Sequence, residues 1–486
     1  MNRKNLMKKI FIFLLIGFVS SAIAYDVQLF RDIDFFADKY QKNYVDFNLF
    51  DFSGNPALVK LAYKENLNIY HFSGGKKINS YHRYFDNERT ENRGLDLLWN
   101  RNLNESSLLV AGVKYYHSYQ MNVERSLEKD FYNHYFSFSD TTNGDITYQG
   151  PKLFLSFNQN LTENLLWGLN INYGVERGLK DIFTECETIM RDMDVTLGFG
   201  YTTDDKNTIA GLSARYFNRQ SQYNSVKYYV SALNRTWIGF HTYFPESPGT
   251  TVRKNDDREG YELSLQLEQK HLFDSNFGLR LAGNFGEHKN DIEAGYYSKT
   301  ENRGYWQRLA IQYLGNLYYN SENFNAQIYY IYNFLDDWAK PKTYEVVAID
   351  NQVTINRIGL IFDYNLTNRF SVLGGFELST RDQIYTEHTT NFRNNDNPES
   401  SNFMMLGGKL NLNQVSSISL RGNYGITEPD FHWADTEQFE VMGVKLGISR
   451  QFVFGRVDLD MNYSVISPDN SDKQNEQFGI DLYIQR

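Results

Sequence analysis

The stretch Arg456-Val457-Asp458-Leu459-Asp460-Met461-Asn462-Tyr463-Ser464-Val465 decides the fold. Val457, Leu459, Met461, Tyr463 and Val465 fall on one parity; Arg456, Asp458, Asp460, Asn462 and Ser464 fall on the other. A period of two is that of a β-strand with one apolar and one wet face. The same alternation sets Tyr261, Leu263, Leu265 and Leu267 against Glu262, Ser264, Gln266 and Glu268, and Trp167, Leu169, Ile171 and Tyr173 against Gly168, Asn170, Asn172 and Gly174. Phe277, Leu279, Leu281 and Phe285 alternate with Gly278, Arg280, Ala282, Asn284 and Gly286 in the same way.

Outward from these segments, short runs rich in Asn, Asp, Ser and Gly join them in pairs. Such turns fall near 100–106, 159–164, 202–207, 270–276, 319–323, 365–369, 411–416 and 450–455, which makes eight hairpins. Three share a pattern: Asn102-Leu103-Asn104-Glu105, Asn160-Leu161-Thr162-Glu163 and Asn365-Leu366-Thr367-Asn368, whose Asn and Thr side chains suit turn geometry. Between hairpins lie longer polar stretches, at 74–89, 124–144, 176–190, 220–258, 290–303, 335–353, 382–401, 428–437 and 467–476. Sixteen hairpin strands, one strand before them (67–73) and one after (478–484) predict 18, with 16 as the alternative count. An even number lets the last strand pair antiparallel with the first, leaving no edge.

Strands near ten residues long, with short and long connections in strict alternation, fit a sheet that crosses a bilayer. Lipid cannot hydrogen-bond the backbone, so such a sheet must close. The expected fold is therefore all-β: a single antiparallel transmembrane β-barrel over 67–486, with short periplasmic turns and long extracellular loops. The mean hydropathy of −0.55 agrees, because only every second strand residue needs to be apolar. Aromatics make up 16% of the 486 residues, too many for a disordered chain, and Tyr115, Tyr116, Tyr119, Tyr329, Tyr330 and Tyr332 are expected in interfacial girdles. A net charge of −10 opposes nucleic-acid binding. One cysteine, Cys186, allows no internal disulfide, and its place in a long connection predicts an exposed thiol.

Residues 1–24 read as an export signal: Arg3, Lys4, Lys8 and Lys9, an apolar run from Ile10 to Val19, then Ala22-Ile23-Ala24 for cleavage before Tyr25. Residues 25–66 are expected to be a periplasmic tail or a small hatch folded into the barrel.

Signal, short Asn-Leu-Thr turns, long loops and aromatic strands together resemble a Gram-negative outer-membrane β-barrel protein. Asn55-Pro56-Ala57 before the first strand resembles the element that opens barrels of the long-chain fatty acid transporter family. Gly178-Leu179-Lys180-Asp181, Thr188 and the strand from Val195 to Tyr201 resemble large uncharacterised barrels of Bacteroidota. The resemblance implies the cell outer membrane as location and its lipid as a partner.

Charges on the polar parity are the candidate lumen lining: Lys114, Asp194, Arg215, Glu262, Glu268, Arg280, Lys409, Arg421, Lys445, Asp458, Asp460 and Asp481, with Asp96 at the same parity. They form either a selective lining or a mutually neutralised wall. Asp256-Asp257, Asp336-Asp337-Trp338 and Asn394-Asn395-Asp396-Asn397 lack the spacing of a calcium loop and are expected on a solvated surface. No GxSxG, P-loop, GxGxxG or HExxH occurs, so neither an enzyme nor a metal or cofactor is expected. Two functions fit: a passive channel or uptake port for small or amphipathic solutes, or a closed barrel whose outer loops bind a surface lipoprotein or other envelope protein.

Overall fold

The computed structural model describes residues 54–62, 67–123, 128, 131–139, 142–181, 186–224, 235–245, 252–296, 299–394, 398–429 and 438–486. The expected export signal and residues 25–53 lie outside the described residues. Eighteen strands form the barrel: β1 (Asn68–Asn79), β2 (Arg89–Asn102), β3 (Ser107–Val123), β4 (Gly144–Asn160), β5 (Leu165–Asp181), β6 (Glu187–Thr202), β7 (Thr208–Asn224), β8 (Val252–Gln269) and β9 (Phe277–Tyr296). They continue as β10 (Lys299–Asn320), β11 (Phe324–Pro341), β12 (Ile349–Asn365), β13 (Phe370–Glu387), β14 (Glu399–Asn413), β15 (Ser416–Thr427), β16 (Phe439–Phe452), β17 (Gly455–Pro468) and β18 (Asn475–Gln485). Each pairs antiparallel with its sequence neighbour, and β1 pairs with β18 in the register Ile69 to Gln485 through Asn79 to Asn475. The sheet is closed.

All eight short turns lie at one end. Their polar residues do the work anticipated: Thr162 Oγ1 accepts from the Leu165 amide and Thr367 Oγ1 from the Phe370 amide, each at 3.0 Å, and Asn104 Oδ1 accepts from the Ser106 amide at 2.9 Å. The leucines of these turns, Leu103, Leu161 and Leu366, are exposed, as are Phe273, Val453 and Phe454 on other short turns.

The two faces of the wall differ as the alternation requires. Leu263, Leu360, Leu406, Leu420, Val444 and Phe478 point out and are exposed, while the residues between them point to the lumen. Among the described residues, none covers this apolar surface. An uninterrupted belt of this kind around a closed cylinder is stable only against hydrocarbon.

The strands are longer than read from sequence: they span 11 to 22 residues, because several stretches taken for loops are strand. The connections after β5 and β9 shrink to 182–186 and 297–298. On β8 to β13 the outward apolar run gives way to Glu259, Glu287, Asp336 and Asp382 while the pairing continues. At about 3.3 Å per residue, this arc stands well clear of the apolar belt. Polarity had suggested loop there, but a strand above the membrane needs no apolar face.

A second small sheet was not expected. Phe136–Ser139 and Thr242–Pro245 flank Arg235–Ile238 in antiparallel pairing, bringing together the connections after β3 and β7. Its core joins Tyr135, Phe136 and Ile238 to Ile292, Trp306, Ala339, Ile349 and Tyr385 on the inner face of the tall arc.

The lipid-facing assignment is tested by a charge scan. Leu420→Arg, on the outer face of β15, is expected to lose about 2–4 kcal/mol of folding stability in vesicles, the cost of a basic side chain at mid-bilayer. Ser417→Arg, on the lumen face of the same strand, is expected to cost less than about 1 kcal/mol. Urea titration of refolded protein measures both; equal costs would contradict the assignment.

Candidate functional site in the barrel lumen

The lumen face divides into three arcs. On β8 to β13 it is packed shut: every second residue of β10 from Gly304 to Tyr318 is buried, as are Asn333, Leu335, Asp337 and Ala339 on β11 and Asn351, Val353, Ile355 and Arg357 on β12. Polar groups there are tied across strands. Asn284 Nδ2 donates to Gln312 Oε1 at 2.9 Å, Asn316 Nδ2 to Gln327 Oε1 at 3.1 Å, and Arg308 grips Asp337 bidentately at 2.7 and 2.8 Å. Pairing of this kind offsets the cost of burying polar groups.

The second arc, β4 to β7, carries an insert at its short-turn end. Asn55 opens a 3₁₀ turn, Pro56–Leu58, its Oδ1 accepting from the Ala57 amide at 3.0 Å with proline fixing the first turn. Its Nδ2 donates to Gln266 Oε1 on β8 at 2.8 Å and to the Phe199 carbonyl at 3.3 Å, while Asn158 Nδ2 donates to the Ala57 carbonyl at 2.7 Å. The floor beneath is glycine. A Cβ on Gly168 would lie 2.4 Å from the Pro56 carbonyl carbon, and one on Gly198 would lie 2.0 Å from Asn55 Oδ1. Leu58 packs on Ile209, and Val59 on Leu108 and Val110. Burying Leu58 and Val59 contributes about 1.5–3 kcal/mol each.

The third arc, β14 through β18 and on to β3, is different. Over most of its height its lumen residues are small or polar and half-exposed, as at Ser417, Ser419, Asn423, Gly443, Ser464 and Ser73. Toward the long-loop end, Phe403, Met405, Phe439, Val441 and Ile466 form a buried apolar cluster on the same face, with Tyr81 and Leu373 packed against it. Here the charges sit in pairs. His71 lies between Asp96 and Asp481, Nδ1 to Asp96 Oδ2 and Nε2 to Asp481 Oδ1 both at 2.9 Å, with its ring stacked on Tyr483 at 4.1 Å. Lys114 Nζ reaches Asp96 Oδ2 at 3.5 Å, Lys445 Nζ reaches Asp460 Oδ2 at 2.9 Å, and Arg456 Nε donates to Asp458 Oδ1 at 2.8 Å.

The sequence-derived charges are thus mostly brought together in pairs rather than into one ring. Asp194, Arg215 and Glu262 form a chain across β6, β7 and β8, Arg215 Nε donating to Asp194 at 2.6 Å and Nη1 to Glu262 at 2.9 Å. Glu268 accepts from Arg280 Nε at 2.8 Å and from the Tyr318 hydroxyl at 2.9 Å. Arg421 stands directly across from Lys445 on β16, with Asp460 the acid that draws on both. Lys409 faces the lumen exposed, outside these pairs.

Sequence reasoning missed His71 and Tyr483, although the flanking Tyr70 and Phe72 set the parity of β1 and made His71 legible. It missed the glycine floor, whose signal was glycine on the wet parity next to short turns. Three expectations are corrected. Cys186 is buried against Phe138 and Tyr223, because the connection before it is short. Asp256 is in strand, ion-paired with buried Lys254 at 3.0 Å, and Asp337 is held by Arg308, so neither is on a solvated surface. Tyr116 and Tyr329 face the lumen, Tyr329 bonding Glu377, so neither belongs to a girdle. Asn394 ends the short strand Phe392–Asn394 and is buried rather than solvated, while Asn395, Asp396 and Asn397 lie outside the described residues.

Beyond the membrane, the small sheet is fastened to the tall arc. Tyr135 donates to Asp337 and accepts from Asn351 Nδ2 at 2.8 Å; burial, then the Asp337 carboxylate, push its phenol well above the ordinary value, so it stays a donor. Glu387 accepts from the Phe240 amide at 2.6 Å and the Tyr385 hydroxyl at 2.7 Å. Gly239 makes this turn at φ +68, and a Cβ there would lie 2.4 Å from Glu387 Oε1.

No family model matches the chain, and no curated protein matches it. Solved structures with a similar course include the ferric preacinetobactin receptor BauA of Acinetobacter baumannii, at 9% identity and a TM-score of 0.48 over 87% of this chain and 80% of that one. The ferric yersiniabactin uptake receptor FyuA of Yersinia pestis gives 9% and 0.49 over 87% and 81%, and the monoaromatic hydrocarbon channel CymD 11% and 0.32 over 91% and 93%. At such identities and scores these likenesses add nothing about cargo, and the barrel is established by its own strand pairing.

Two variants test the geometry. Arg215→Met leaves two buried carboxylates facing each other and is expected to destabilise by about 3–5 kcal/mol, read by urea titration. Gly198→Val is expected to unseat residues 55–59. A cysteine at position 57 (Ala57→Cys) would then react with a membrane-impermeant maleimide, whereas in the otherwise native protein it stays unlabelled.

Proposed function

We propose that this chain is an outer-membrane channel through which small hydrophilic solutes diffuse passively, along the wall formed by β14 to β18 and β1 to β3. The observation that carries this reading is the asymmetry of the lumen. One arc is filled with interlocked side chains, one holds the N-terminal insert, and the remaining arc, beneath the apolar cluster of Phe403, Met405, Phe439, Val441 and Ile466, presents serine, asparagine, glycine and paired charges at half exposure. Side chains that small leave room for a passage, and an 18-stranded cylinder is wide enough to have one. The export signal read at residues 1–24 and the apolar outer belt support the outer membrane as its location. The hydrophilic character of this wall favours polar over amphipathic solutes.

In this account the ion pairs set the character of the path. Lys445 with Asp460 and Arg456 with Asp458 offer dipoles rather than a net field, so selection between cations and anions is weak. The Asn55–Val59 insert narrows the periplasmic end, reaching Leu108 and Val110 on β3, and the small sheet narrows the outer end, where Trp237 and Phe131 meet Phe85 of the connection after β1.

The second reading, a closed barrel that docks an envelope protein, draws on the tall arc of β8 to β13 and the sheet that fills its inner face. Planar-bilayer recording of the purified protein decides between them. The channel reading predicts discrete conductance steps with a cation-to-anion permeability ratio within about threefold of unity. Lys445→Glu, which places a third acid beside Asp460, is expected to shift that ratio toward cations. A silent bilayer with protein that co-purifies with a partner would favour docking.

A further inference from the structure

The outer mouth carries aromatic rings that neither the apolar belt nor the small sheet's core accounts for. Tyr84 and Phe85, in the connection after β1, meet the small sheet: Phe85 stacks on Phe131 at 3.8 Å and meets Trp237 edge-on at 5.4 Å, and Trp237 lies 4.9 Å from Tyr243. The far ends of this row stay open to water, with Tyr84 52% and Tyr243 42% exposed. Trp237 is held in place, its Nε1 donating to Ser139 Oγ at 2.8 Å. Polar groups border the row: Arg83 lies over the Tyr132 ring at 3.9 Å and pairs with Asp86 at 2.9 Å. Packing on Phe131 and Trp237 accounts for Phe85 but leaves Tyr84 and Tyr243 about half exposed at the two ends of the row.

From this juxtaposition we infer that the row Tyr84, Trp237 and Tyr243 binds saccharide rings at the outer mouth and feeds them to the polar wall below. This rests on the channel reading and names its solute class. Three features select the class. The aromatic faces call for a solute with a flat apolar side. The serine, asparagine and carboxylate groups of the wall call for hydrogen-bonding edges all round, which a hydrocarbon or a plain aromatic ring lacks. The pairing of Lys445 with Asp460 and of Arg456 with Asp458 neutralises four of the wall's charges, leaving Lys409 exposed near the short-turn end rather than the cluster of like charges an ionic solute would need. A neutral pyranose meets all three conditions: its axial C–H face stacks and its hydroxyls bond at the rim. Aromatic rings recur on the same wall at Tyr116 and Tyr483, partly exposed to the lumen.

The test is block of ion current by maltohexaose in planar bilayers holding the full-length protein. The expected result is saturable block, weaker by tenfold or more for a zwitterionic tripeptide and for indole. Tyr84→Ala and Tyr243→Ala are each expected to raise the half-blocking concentration about tenfold with potassium chloride conductance unchanged, and Tyr84→Phe to restore it. Conductance with no saccharide block, block by indole as strong as by the saccharide, or block indifferent to both tyrosines would overturn the inference while leaving the channel. A silent bilayer would defeat the channel reading instead. Tryptophan fluorescence of the detergent-solubilised protein then decides the saccharide site by itself. Saturable change with maltohexaose that is lost in Tyr84→Ala supports it, and no change overturns it.

Discussion

Every structural feature of this protein follows from the backbone's need for hydrogen bonds where water is absent. A strand in hydrocarbon has no partner for its N–H and C=O groups except another strand, so pairing must run all the way round until β18 meets β1. Once the cylinder closes, side chains have only two destinations. The outer one admits Leu, Ile, Val and Phe because they carry no polar side-chain group, and Tyr where its hydroxyl reaches a partner, as Tyr330 does at Asn356. The inner one is free to be wet, and its composition is where this chain acquires individual character.

The inner face is used unevenly. On β8 to β13 large polar side chains lie buried beside their partners, and pairs such as Arg308 with Asp337 are sustained because both hydrogen bonds of the fork are made. On β4 to β7 the wall is stripped to glycine at Gly168, Gly198, Gly200 and Gly211, so that Asn55, Pro56 and Leu58 lie directly against backbone. Polypeptide from two loops fills the outer end of the packed arc, held at Asp337 and Glu387. What remains is a wall of small and polar residues capped at its outer end by Phe403, Met405, Phe439, Val441 and Ile466, which links local sequence choice to the path a solute would take.

The sequence was most informative where one physical rule acts alone. Lipid contact imposes a period of two, so Arg456 to Val465 could be placed by inspection; turn chemistry placed all eight short turns. Beyond the belt that rule lapses. Glu287 to Glu293 and Glu301 to Gln307 are strand in a part of the chain whose polarity resembles loop, because water on the outside removes the demand for an apolar face. Pairing partners could be foreseen only in part. Parity put Arg215, Glu262 and Asp194 on the same face, but their contact depends on the register between three strands, which hydrophobic alternation fixes only modulo two. Cys186, Tyr135 and the small sheet depend on contacts between distant connections, which no local pattern encodes.

The central claim, that one face of each strand meets hydrocarbon while the other meets water, is tested most directly by spin-label accessibility along β17. Single nitroxides placed from 457 to 465 in protein reconstituted in vesicles, with collision rates measured for oxygen and for a water-soluble nickel chelate, report each position in turn. The account predicts a strict alternation of period two: oxygen contact at 457, 459, 461, 463 and 465, and nickel contact at 458, 460, 462 and 464. A profile without alternation, or one in which the odd positions are shielded from oxygen, would contradict it.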